Sequence, residues 1–310
     1  MPVNRSVSVV GVQLSKVENS GTIDRDARGW RGFWNRGGLL KALLIAIVYV
    51  ILYNLAGLLL IPVVGGLISD DYLSDPLSAF IVIGLQPLVG SVVLIIFALS
   101  LGWLPRPLFG RQPPLSRKWW FWVAPVLILI PIVFHFFGID YARYGIAVVL
   151  SVLLAGLFVG FSEDFVTRGM AVVLLRRRGY REWAVMALSS LIFAGMHLSN
   201  LIAGQDISTV GPIVIYTFAF GVCMYATLRA GGNLIWPIIL HGLTDPTSIL
   251  AAGGIDDSTH ATFNSSNMVA VVGTVGYVVW AAVLLIITRG NAQGRADADE
   301  EPRELVKRPA

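Results

Sequence analysis

Eight stretches of the chain are apolar over about the twenty residues that a helix needs to cross a bilayer: 39–63, 78–101, 119–139, 146–175, 183–202, 209–229, 234–252 and 268–288. Inside hydrocarbon a backbone must satisfy its own N–H and C=O groups, and stretches of this length do so as helices. The fold class predicted is therefore all-α, a polytopic membrane protein with about eight transmembrane helices filling residues 39–288. Composition agrees: 55% of residues are hydrophobic and 14% charged, against about 25% charged in a soluble domain. Residues 1–38 and 289–310 are polar and mixed in charge, which predicts disordered segments. No small-residue cleavage site follows the first apolar stretch, so it is expected to stay as a helix.

Of the 23 Lys and Arg, all but Arg143 and Arg168 fall at one end of the alternating spans, whereas Asp70, Asp71, Asp75, Asp140, Asp206, Asp256 and Asp257 fall at the other. By the positive-inside rule this predicts an integral cell-membrane protein with both termini cytoplasmic. The net charge of +4 is spread between apolar runs rather than gathered on one face, which argues against a nucleic-acid partner; membrane lipid is the expected environment. A single cysteine, Cys223, excludes an internal disulfide and cysteine-rich zinc modules.

Ionisable groups within spans are costly and mark function by default. They occur here in three places: Glu163, Asp164 and Arg168 in the fourth span, His197 at the end of the fifth, and His241 and Asp245 in the seventh. Asp164 and Arg168 are four apart and share a helix face, as are His241 and Asp245, whereas Glu163 lies about 100° round from Asp164. Glu163 is thus the freer carboxylate. Counted from the basic end at 1.5 Å per residue, Glu163, His197 and Asp245 all lie roughly 18 to 21 Å deep, and His241 about 12 Å. Three helices of different direction bring polar groups to one layer.

The series Glu163-Asp164-x-x-x-Arg168, Phe193-x-x-x-His197, Leu234-x-Trp236-Pro237-Ile238 and His241-x-x-x-Asp245 resembles the CPBP family of intramembrane endopeptidases, also called Abi or type II CAAX prenyl proteases. That family includes bacteriocin-processing and immunity members. The resemblance covers about residues 146–250, with a second Glu usual where this chain has Asp164 and Asn common where it has Asp245.

The resemblance implies hydrolysis of a peptide bond within the membrane, in a membrane-associated, prenylated or unprenylated, peptide or protein substrate. On chemical grounds Glu163 is the best general base and His197 can orient the water. A neutral His241 N–H can face the developing oxyanion, with Asp245 fixing its tautomer. Alternatively Glu163, His197 and His241 are the ligand set of a catalytic zinc. Asp164 and Arg168 are either a buried structural pair or part of the site. Two other functions stay open, a non-hydrolytic immunity or scaffold member of the family and a proton-coupled transporter. Phe193 is expected to pack beneath His197, and Asn54 and Gln86 to hydrogen-bond between helices.

Overall fold

The computed structural model describes residues 28–112, 119–254 and 265–289. Among them there are helices and no strands: α1 (Gly29–Asn35), α2 (Leu39–Val64), α3 (Pro76–Leu101), α4 (Trp119–Gly138), α5 (Tyr141–Asp164), α6 (Val172–Arg177), α7 (Glu182–Met196), α8 (Ser199–Ile202), α9 (Ile207–Gly231), α10 (Ile235–Ala252) and α11 (Ser265–Arg289). A π-helical stretch, Phe165–Ala171, joins α5 to α6 without a break. The protein is an all-α polytopic membrane protein. Seven helical stretches among the described residues are long and apolar enough to cross a membrane. The seventh expected span is present as α10 but is interrupted by His241, Thr244, Asp245, Thr247 and Ser248, which lower its apolar content. Large apolar side chains such as Leu40, Leu58, Val63, Ile215, Val272 and Ile286 face outward on the bundle, as a lipid-facing surface requires.

Three of the acids expected at the less basic end, Asp71, Asp75 and Asp140, serve as caps. Asp75 accepts from Ser78 N at 2.7 Å and is followed by Pro76 in the first position of α3, both of which start a helix cleanly. Asp140 does the same for α5, accepting from Arg143 N at 3.0 Å, and Arg143 reaches Asp71 at 3.4 Å. Two expectations change. Gly29–Asn35 is helical rather than disordered, anchored where Trp30 Nε1 donates to Ser100 Oγ at 3.1 Å and Trp103 Nε1 donates to Asn35 Oδ1 at 3.1 Å. Asn54 bonds within its own helix, donating to Val50 O at 2.8 Å, whereas Gln86 does cross between helices, to Tyr53 O at 3.4 Å. Residues 1–27 and 290–310, with His260, lie outside the described residues.

The contact that positions the polar layer is between α5 and α10. Gly156 and Gly160 present a smooth strip to Gly242: a Cβ on Gly156 would lie 2.6 Å from Gly242 O, and one on Gly160 would lie 2.5 Å from Gly242 N and 2.6 Å from Ile238 O. Small residues four apart let two membrane helices approach at backbone distance. Gly160→Ala is therefore expected to lower stability by about 1 to 3 kcal/mol, because backbone atoms cannot give way to the methyl group. Thermal melting in detergent checks this. Gly211→Ala, at a helical glycine with nothing within 4 Å, should melt no lower than the wild type, and equal melting of the two variants would contradict the close-approach account.

Candidate active site

The fourth span supplies three of the charged groups and the wide π-helical turn sets their spread. Asp164 ends α5 and Arg168 sits in the π-helical stretch, where the pair is fully buried with Nη1 to Oδ1 at 2.9 Å. Single π turns inside helices recur at functional sites. Thr167 Oγ1 donates to Glu163 O at 2.7 Å and accepts from Arg168 Nη1 at 2.8 Å. On α9, Gly221 leaves space for the guanidinium, since a Cβ there would lie 3.1 Å from Arg168 Nη2.

Asp164 divides its oxygens between two helices. Oδ1 faces Arg168, and Oδ2 lies 2.9 Å from Nδ1 of the buried His241 on α10. Nδ1–H thus donates to the carboxylate, and Nε2 is the nitrogen turned toward the other two acids. Around it stand Asp245 Oδ2 at 3.5 Å and Glu163 Oε2 at 3.8 Å. Glu163 Oε2 is buried and has no hydrogen-bond partner among the described residues. The 3.8 Å separation is too long for a direct hydrogen bond and short enough for one water to bridge the two atoms. Asp245 is the most open member, 41% exposed against 3% for His241, so the gap between the carboxylates is reached from its side.

His197 closes α7 and belongs to the same neighbourhood. Its Nδ1 is held by Phe193 O at 3.0 Å, which leaves Nε2 free in the neutral ring. Phe193 does more than pack beneath it. The ring meets His197 edge-on at 4.9 Å and His241 at 5.6 Å, and carries the Arg168 guanidinium over its face at 4.1 Å. Phe220 closes the other side of His241 at 5.1 Å. Glu163 lies within electrostatic range of His197, His241, Asp245 and Asp164.

The structure thus gathers Glu163, Asp164, Arg168, His241 and Asp245 through direct contacts and ties His197 to them through Phe193. One expectation is corrected. The residue that fixes the His241 tautomer is Asp164 rather than Asp245, because it is Asp164 that takes Nδ1. A neutral His241 then carries its proton on Nδ1, and Nε2 can donate to an oxyanion only in the doubly protonated ring. As for zinc, no group of three or more His, Cys, Asp or Glu side chains among the described residues is placed to hold a metal ion.

A second buried polar cluster had no counterpart in the sequence reading, which treated Arg176 and Arg229 as loop charges. Arg176 Nη2 lies 3.1 Å from Glu182 Oε1 and donates to Tyr225 OH at 2.9 Å, and Arg229 Nε lies 2.5 Å from the same Glu182 oxygen. All four side chains are buried. Gln112 accepts from Arg176 Nη1 at 2.5 Å. This cluster ties the basic ends of α6, α7 and α9 together one bundle layer away from the site, and the charged residue Glu182 opening an apolar run was its only sequence signal.

Residues 145–247, from Gly145 in α5 to Thr247 in α10, match the family described as type II CAAX prenyl endopeptidase Rce1-like. This core resembles a CAAX protease. It holds every residue of the constellation just described and leaves α1 to α4 and α11 outside. No curated protein and no solved structure matches the chain. The CAAX-protease match agrees with the resemblance carried by the four motifs, and the family is one of membrane-embedded proteases.

Proposed function

We propose that the protein hydrolyses a peptide bond in a membrane-associated peptide or protein, with Glu163 as the base that activates water. The observation that carries this reading is Glu163 Oε2, unpartnered among the described residues, at 3.8 Å from Nε2 of a His241 ring whose Nδ1 is held by Asp164. Water entering the gap gives a proton to Glu163 and attacks the carbonyl; Nε2 of the doubly protonated His241 donates to the oxygen that becomes negative. His197 Nε2 accepts from the water and orients it. Glu163 then returns the proton to the departing amine. Asp164 holds His241 in orientation, and Arg168 balances the Asp164 charge.

A prenylated C-terminal peptide is the first substrate class to test. An apolar groove of about 310 Å³ between α1, α2 and α3 is lined by Trp30, Trp34, Ile45, Tyr49, Leu94 and Phe97, and Tyr49 OH reaches Ser162 Oγ at 2.9 Å, next to Glu163. A lipid chain in the groove would bring its attached peptide alongside the base. The basic end of the bundle is proposed to face the cytoplasm. Purified protein in detergent should cleave a prenylated peptide at one bond, leave the unprenylated peptide largely intact, and keep its rate in the presence of chelator. Loss of activity on chelation with recovery on adding zinc would replace the metal-free mechanism by the zinc one. No cleavage across a panel of prenylated and leader peptides would remove the peptidase reading.

A further inference from the structure

The matched segment does not include α2, yet α2 packs against the π-helical stretch and α7 beside the site. Tyr49 and Tyr53 lie one turn apart on the same face of α2 with ring centroids 6.1 Å apart. The Tyr49–Ser162 hydrogen bond at 2.9 Å sets the height of α2 against the residue before Glu163. Tyr53 then stands one turn further from the basic end, as Asp245 does from His241 on α10. Its height is locked from α3, where Gln86 donates to Tyr53 O at 3.4 Å through the space left by Gly57. The Tyr53 hydroxyl lies within electrostatic range of both Glu163 and Asp245 and has no hydrogen-bond partner among the described residues.

Attack on a peptide carbonyl places negative charge on its oxygen. Two of the groups round the gap, Glu163 and Asp245, are acceptors when ionised, and the free nitrogen of His197 is an acceptor in the neutral ring. Donors are therefore scarce: His241 Nε2 when protonated, and the Tyr53 phenol. We propose that Tyr53 is a further catalytic residue, its O–H donating a hydrogen bond to the scissile carbonyl oxygen that strengthens as the tetrahedral intermediate forms. The phenol keeps its proton throughout, and no bond to Tyr53 is made or broken. This inference rests on the peptidase reading.

The test compares wild type, Tyr53→Phe and Glu163→Gln in detergent on one prenylated peptide, with binding of the matching peptide that carries a phosphinate at the scissile position as a second readout. Tyr53→Phe should lower kcat by about 10²-fold, as loss of one oxyanion donor does, with KM and melting temperature unchanged. It should weaken phosphinate binding while binding of the product peptide holds. A kcat within about twofold of wild type, or a rise in KM alone, overturns the assignment, since uniform binding rather than transition-state contact would then be lost. A matching fall in melting temperature also overturns it. If wild type cleaves and Glu163→Gln does not while Tyr53→Phe equals wild type, Tyr53 alone is wrong. If wild type neither cleaves the peptide nor binds the phosphinate, the peptidase reading falls and the role of Tyr53 falls with it.

Discussion

Glu163→Gln is expected to lower kcat by about 10²- to 10⁴-fold, the range for loss of a general base, and to leave the melting temperature in detergent unchanged. The amide has nearly the volume of the carboxylate, and the oxygen it replaces makes no hydrogen bond in the fold, so nothing in the packing depends on it. The backbone bond from Thr167 to Glu163 O is kept, because it does not involve the side chain. A variant that retains more than about a tenth of the wild-type kcat would move the base elsewhere, with His197 the next group to examine. A variant that is inactive and also melts early would show Glu163 to be structural.

Arg168→Ala is expected to act in the opposite way, costing about 3 to 5 kcal/mol of stability because it strands the fully buried Asp164 carboxylate. The loss also removes the guanidinium from the face of Phe193 and the donor to Thr167. Lower solubilised yield and a lower melting temperature are the readouts. The double variant Arg168→Met Asp164→Asn should recover part of the stability, since neither charge of the pair is then left in the interior, but not the activity, because the carboxylate that accepts from His241 Nδ1 is gone. Equal stability of Arg168→Ala and Glu163→Gln would contradict this division of roles.

How far the site could be read from the sequence depended on the range of each contact. Asp164 and Arg168 were paired correctly from their spacing, although the turn between them is π-helical, because both lie on one continuous helix. The same rule misled at His241. Asp245 is its neighbour by spacing, but it sits 3.5 Å from Nε2, while the bond at Nδ1 goes to Asp164, 77 positions earlier, across a contact made possible by Gly156, Gly160 and Gly242. Nothing local encodes that choice. The spans themselves were legible from apolar runs, with α2 read as 39–63 and found at Leu39–Val64, because bilayer thickness and backbone hydrogen bonding leave little freedom. The burial of Arg176 and Arg229 is not legible in the same way, because it depends on Glu182 arriving from α7.

The measurement that tests the central claim most directly is a single turnover in ¹⁸O-labelled water with a prenylated peptide, followed by mass analysis of both the new peptide carboxylate and the segment of the protein that contains Glu163. Water activated by Glu163 attacks the substrate itself, so the first-turnover product should carry one solvent oxygen and Glu163 none. Label in Glu163, or an unlabelled first-turnover product, would mean that the carboxylate attacks the carbonyl directly, and would contradict its role as the base.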